Sequence, residues 1–322
     1  MKRWLLVIGA VGVGLLLIAA GHAQNYPTKP VRIIAGAAGT TNDILSRHLA
    51  QQLGERWGKQ VIVDNRPGAG ATIAADLAAK AAPDGYTLHI TQVASFAAAV
   101  TLYRKLPYDP IKDFAPITLY AETPLMLVAH PSMPPATLRE FIDFAKKRPG
   151  AINFASASGG TSSHLTTELL NYVAGLKLVH VPYKGSGAAM LALVSGEAQF
   201  SSIVIPNALP QVKAGKVKAY AVTSKRRFAG APDVPTAAEA GLPGFESTAW
   251  FGMSAPARTP TDLISRLNRE IVEILRAPAV RDWLLAQGAE PLPSTPEEYA
   301  AYIKSEIVKW KIVIEVSGAR VD

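Results

Sequence analysis

No cysteine occurs among the 322 residues. That excludes a disulfide scaffold, a thiolate nucleophile and a thiolate metal site, so the fold must hold by burial alone. Aromatic residues make up only 7% of the chain and charged residues 18%, which leaves little for stacking or ion-pair networks. Basic residues outnumber acidic ones, 33 to 25, but they are scattered. Their densest cluster, Lys225-Arg226-Arg227, has no interleaved aromatics. Nucleic-acid binding is therefore not expected, whereas a mildly positive field that draws in anionic solutes is. Signatures of catalysis are missing too. There is no Gly-x-Ser-x-Gly elbow, no Ser-x-x-Lys, no His-Glu-x-x-His, no Walker loop and no Gly-x-Gly-x-x-Gly. Six histidines stand without cysteines or paired carboxylates, so neither a metal nor another cofactor is expected.

Long apolar runs are absent except at the start. Met1-Lys2-Arg3 is basic, residues 4–20 are apolar, and Gly21-His22-Ala23 supplies small residues before Gln24. That is the layout of a secretory signal peptide over residues 1–23, with cleavage after Ala23. A retained anchor is the weaker reading, because no basic stop-transfer residues follow. An exported chain without cysteine suits a Gram-negative periplasm. What remains is long enough for two domains with their own cores.

What is present is a repeated grammar of strand, glycine loop and helix. Residues 31–35 are a β-branched run, Gly36-Ala37-Ala38-Gly39-Thr40-Thr41 is a loop, and a helix starts near Asn42 with Ile44, Leu45, Leu49 and Leu53 on one face. The same order returns at 151–155, an apolar strand. It continues through Ser156-Ala157-Ser158-Gly159-Gly160-Thr161-Ser162-Ser163-His164, a loop, and 165–173, a helix. Shorter versions lie at 92–96 and 182–187. Alternation of this kind predicts parallel sheets covered on both sides. Past Pro232 proline and glycine become frequent, with Trp250-Phe251-Gly252-Met253 as a short strand. The tail is helical, and Thr295-Pro296-Glu297-Glu298 has the spacing of a capping box. No repeat at a solenoid period is visible.

Each such loop aims unpaired backbone N–H groups at one point, where the helix dipole favours an anion by about 0.3–1 kcal/mol. One unit says little. Four in an exported chain without catalytic motifs point to capture of a small carboxylate in a cleft.

Several stretches then carry a resemblance. They are Tyr26-Pro27-Thr28-Lys29-Pro30-Val31-Arg32-Ile33-Ile34, Val63-Asp64-Asn65-Arg66-Pro67-Gly68-Ala69-Gly70, Ala82-Pro83-Asp84-Gly85-Tyr86-Thr87-Leu88, Gly160-Thr161-Ser162-Ser163-His164, Val181-Pro182-Tyr183-Lys184-Gly185 and Trp250-Phe251-Gly252. Together they resemble the Bug family of periplasmic solute receptors, the TctC-like binding proteins of tripartite tricarboxylate transporters. The resemblance covers essentially the whole mature chain. It implies an α/β, type II periplasmic-binding-protein fold of two α/β domains with a hinged ligand cleft. It implies no enzyme but a monomer that captures a small carboxylate, an aliphatic or aromatic dicarboxylate, and hands it to transporter membrane subunits. The domains would be 24–122 plus 239–322, and 123–238. Carried over by position, Ala38, Gly39, Thr40 and Asn42 would meet the ligand from the first domain. Ser156, Ser158, Gly160, Thr161, Ser162, His164, Tyr183 and Lys184 would meet it from the second. Gln92 joins them from its place at a strand end.

Two departures bear on the ligand. Ala35-Gly36-Ala37-Ala38-Gly39 stands where the family often has Pro-Phe and Gly-Gly. Ile203 stands where many relatives carry an Asp able to pair with an ammonium, which favours a dicarboxylate or hydroxy acid over an amino acid. Two other functions stay open: a sensor partner of a membrane receptor kinase, and a secreted hydrolase using Ser162 or Ser163. The hydrolase is disfavoured because no Asp or Glu is evident to orient His164. Tyr183 reads equally as a ligand contact or as a turn residue, and Lys184 reads as a solvated loop charge or a steering one.

Overall fold

The computed structural model describes residues 26–318. The signal peptide expected at 1–23 lies outside them. Strand β1 (Val31–Ala35) is buried at every residue but Arg32, because helices cover both of its faces. Helix α1 (Thr41–Trp57) returns the chain and stops at Gly58, whose φ of 59° is the left-handed cap that glycine adopts without penalty. Strand β2 (Val61–Asn65) then pairs parallel to β1, with Val31 opposite Val61. Helix α2 (Thr72–Ala79) leads to β3 (Thr87–Gln92), which pairs on the other side of β1. A π-helical turn, Ala94–Ala98, runs into α3 (Ala99–Leu102).

Strand β4 (Phe114–Ala129) is 16 residues long and joins two sheet regions. After it, α4 (Leu138–Lys146) begins with a Thr137–Glu140 capping box. The order of the first half is then repeated. Strand β5 (Asn153–Ser156), α5 (Ser162–Ala174), β6 (Val179–Pro182), α6 (Ser186–Ser195) and β7 (Phe200–Val204) give β6-β5-β7, all parallel, as β2-β1-β3 are. Helix α7 (Ile205–Lys213) and strand β8 (Lys218–Val222) complete that half. The return strand β9 (Thr248–Pro256) is followed by α8 (Thr261–Arg276), α9 (Pro278–Ala286), the short β10 (Glu290–Pro291) and α10 (Pro296–Ser317).

Among the strands of the described residues, β4 alone pairs in both sheet regions. From Phe114 to Pro124 it pairs antiparallel with β9, and from Leu125 to Ala129 with β7 and β8. The strand–helix alternation predicts parallel sheets, whereas every pairing along β4 is antiparallel. Pro116 and Pro124 mimic strand breakers, yet they are accommodated here, and a register shift sits beside Pro116. Helix α10 spans the two halves, packing on α5 from one and on 94–102 from the other. Its expected capping box is present, Glu298 N–H donating to Thr295 Oγ1 at 3.1 Å. Inside it, Glu306 Oε2 accepts from the indoles of both Trp250 and Trp310 at 2.8 Å. Gly252 lets β9 pass that close: a Cβ there would lie within 2.9 Å of the Tyr299 ring.

Candidate functional site

The loop from β1 to α1 and the loop from β5 to α5 are locked by the same hydrogen bonds, position for position. In the first, Gly36 N–H donates to Asn42 Oδ1 (2.9 Å), Gly39 N–H to Asp43 Oδ2 (2.9 Å) and Thr40 Oγ1 to Ala37 O (2.7 Å). In the second, Ala157 N–H donates to Ser163 Oγ (2.9 Å), Gly160 N–H to His164 Nδ1 (3.0 Å) and Thr161 Oγ1 to Ser158 O (2.7 Å). Gly39 and Gly160 both have φ of 74°, the left-handed region that lets the chain reverse into its helix.

This locking leaves the helix starts open. Thr40 and Thr161 occupy the N-cap positions, but neither caps, because each hydroxyl is turned back onto its own loop. The first-turn N–H groups of Thr41, Asn42 and Asp43, and of Ser162, Ser163 and His164, have no acceptor among the described residues. Each triplet carries the positive end of its helix dipole.

Of the residues expected at the site, Ala38, Gly39, Thr40, Ser158 and Lys184 are exposed, and Thr161, Ser162, Gln92 and Tyr183 half-buried. A cavity of about 110 Å³ is lined by Gln92, Val93 and Ala94, by Thr161 and Ser162, and by Ala249, Trp250 and Phe251. It therefore brings together groups from β3, the start of α5 and the return strand β9. Gln92 also holds the adjoining turn, its Nε2 donating to Gly70 O at 3.2 Å.

Three expected residues turn their side chains inward and Gly160 its N–H, while the backbone N–H groups of Asn42 and His164 stay among the open donors. Asn42 is 3% exposed, and its amide nitrogen reaches Ile90 O (3.3 Å) while its oxygen holds Gly36. Ser156 is fully buried, bonded to His180 Nε2 (2.6 Å) and Ser158 O (3.1 Å). Gly160's N–H is taken by His164, and His164 is 5% exposed, its ring stacked on His180 at 3.8 Å. All four shape the loops. Ile203 is likewise 1% exposed, in the core cluster of the second half that also holds Met126 and Ala155. Asp43, which closes the first loop, is not singled out in the sequence, and Ser163, which closes the second, is singled out there only as a possible hydrolase nucleophile. Their only local signal is a side-chain acceptor in the first helical turn.

Electrostatics differ between the loops. Burial opposes ionisation of Asp43, but the Gly39 N–H, Asn65 and Arg47 outweigh it and hold the carboxyl below its usual range. Burial, with the neighbouring His180 ring, pushes His164 down to about 3, and burial pushes His180 down to about 4. Both imidazoles are neutral near pH 7. Contrary to the sequence reading, an acid does approach His164: Glu168 Oε1 lies 3.8 Å from Nε2, one turn along α5. No relay results. The other ring nitrogen is occupied by Gly160, and Ser163 Oγ is engaged by Ala157 N–H, so neither Ser162 nor Ser163 is bonded to an imidazole. Among the described residues no group of three or more His, Asp or Glu could hold a metal, and no helix is long and apolar enough to cross a membrane.

Comparison with known proteins places this architecture. The family model described as tripartite tricarboxylate transporter family receptor matches residues 45–319. The chain is 36% identical to Protein BugT of Bordetella pertussis, over 99% of both chains. Among solved structures it is similar to Rpa4515 of R. palustris with adipate: TM-score 0.82, 33% identity, covering 92% of this chain and all of that one. MatC from Rhodopseudomonas palustris with bound malate gives a TM-score of 0.77 at 36% identity, covering 90% of this chain and all of the other. With its sheets, return strand and paired helix starts accounted for, the chain belongs to the tripartite tricarboxylate transporter receptor family, the TctC or Bug proteins, as a solute-binding receptor with the type II periplasmic-binding-protein fold.

Proposed function

We propose that this receptor captures a small dicarboxylate in the periplasm for a tripartite tricarboxylate-type transporter, with one helix start serving each end of the ligand. The observation that carries this reading is the matched pair of locked loops, each leaving three first-turn N–H groups without an acceptor among the described residues. Backbone donors preorganised in this way favour a carboxylate and suit release as well as capture, since no fixed cation must be broken away. Adipate and malate in two similar proteins support the ligand class. Closure would bend the chain where it passes between sheet regions. For the domains expected at 24–122 plus 239–322 and 123–238, we move both crossings. Thr236 bridges to Val222, and Ser247 N–H still bonds to Thr223 O, so we set the crossings at 124/125 and 247/248.

A thermal-shift screen of mono-, di- and tricarboxylates, adipate and malate among them, tests the reading. A true ligand at a hundred times its Kd adds about 2.7 kcal/mol, a rise of several degrees. No rise with any carboxylate would overturn it.

A further inference from the structure

The two loops share their bonds but not the charge of the acceptor that closes them. In the first, Asp43 accepts from Gly39 and is itself held by Asn65 (2.9 Å) and Arg47 (3.0 Å). In the second, the acceptor is an imidazole nitrogen, and the residue one turn along is an acid, Glu168, where the first loop has Arg47. The polarity of the pair is reversed. A histidine can accept at Nδ1 only as the neutral form with its proton on Nε2, an assignment that follows here from the Gly160 bond.

The surroundings favour that form. His164 stacks on His180 (3.8 Å, 17° between planes), which in turn stacks on Phe154 at 4.9 Å, and His180 Nε2 is tied to Ser156 Oγ. The titratable groups facing it are His180 from β6 and Glu168 from its own helix. A proton on Nδ1 would break the Gly160 bond and set a cation against a second imidazole in a buried layer.

We propose that His164 is a positioning residue for anion capture: it fixes Gly160 in its left-handed turn with a neutral acceptor, and so keeps a fixed negative charge away from the loop that takes one end of the ligand. This rests on the carboxylate reading above. A carboxylate at this place would hold the same turn, as Asp43 does, but with no Arg47 beside it the ligand would be repelled across a poorly screened interior.

Two measurements test it. In calorimetric titrations with adipate at neutral pH, His164→Asp binds at least tenfold more weakly than His164→Asn, a neutral acceptor, while their melting temperatures without ligand stay within a few degrees. Equal affinities for adipate overturn the proposal. In the unaltered protein, nitrogen-15 NMR of labelled histidine shows His164 neutral and protonated on Nε2 at pH 7, a readout that needs no variant to fold. A cationic ring, or a proton on Nδ1, overturns it equally. Failure of the unaltered protein to bind either adipate or malate counts instead against the carboxylate reading. It is distinguishable, because the tautomer is read without ligand.

Discussion

The loop after β1 and the loop after β5 reach one backbone geometry through different side chains. Asn42 and Ser163 do the same work, as do Asp43 and His164, and each pair has in common only an acceptor atom within reach of the same backbone N–H of its loop. What the fold demands at these places is therefore an acceptor, and the charge attached to it is free to vary. The first half uses that freedom to carry an ion pair, Asp43 with Arg47, and the second to carry a neutral imidazole layer.

Acid should separate the two loops most strongly. Burial pushes His164 and His180, beside the second loop, down to about 3 and about 4 from an unfolded value near 6.5, and it pushes His89, in β3 of the first half, down to about 4. Above pH 6.5 both states are neutral and nothing is lost. Below it the unfolded chain takes up protons that the folded one refuses, so stability falls as pH drops from 6.5 toward 4. A ring that stays wholly neutral costs about 1.4 kcal/mol per pH unit in that window. Asp43, its pKa lowered, behaves otherwise. Its contribution is intact above its unfolded value of 3.8 and is lost only as pH falls through the lower folded one. Urea midpoints at pH 7 and pH 5 should differ clearly, and His164→Asn should narrow the gap. An unchanged midpoint would mean that the imidazoles are not the acid-sensitive layer.

A smaller difference is expected when the loop-closing acceptors are removed. Asn42→Ala strips partners from two buried backbone groups, Gly36 N–H and Ile90 O, whereas Ser163→Ala strips one, Ala157 N–H. Denaturant unfolding should show a loss of about 2–3 kcal/mol for the first and about 1 kcal/mol for the second. Equal losses would show that the loops are not locked in the way their bond lengths suggest.

The smallest difference between the halves should come from their left-handed glycines. Gly39→Ala and Gly160→Ala each force a Cβ into φ of 74°. Each should cost about 1–2 kcal/mol by thermal or urea melts. A cost confined to one loop would break their equivalence.

Much of this was legible beforehand. The strand, glycine and helix order announced both loops, and the Thr295–Glu298 spacing announced the start of α10. The likeness of the two loops was not, because it lies in acceptor geometry, and Asn42 with Asp43 does not look like Ser163 with His164. Nor was the strand over Phe114–Pro124, whose prolines read as breaks until β9 arrives alongside from far along the chain. Asn42, Ser156 and His164 are placed at the site by the family resemblance, position by position. Burial then turned those same groups inward, onto backbone atoms and onto one another.

By itself, then, the sequence determined what is local. Glycine sets where the chain can turn left-handed, periodicity sets which face of a helix is buried, and a threonine with a glutamate three residues on sets where a helix begins. The tertiary structure alone decided which donor meets which acceptor, which strand the return segment joins, and which polar groups lose water. Those outcomes depend on contacts between residues distant in the chain, and a polar side chain left without water takes whatever partner the packing puts within reach.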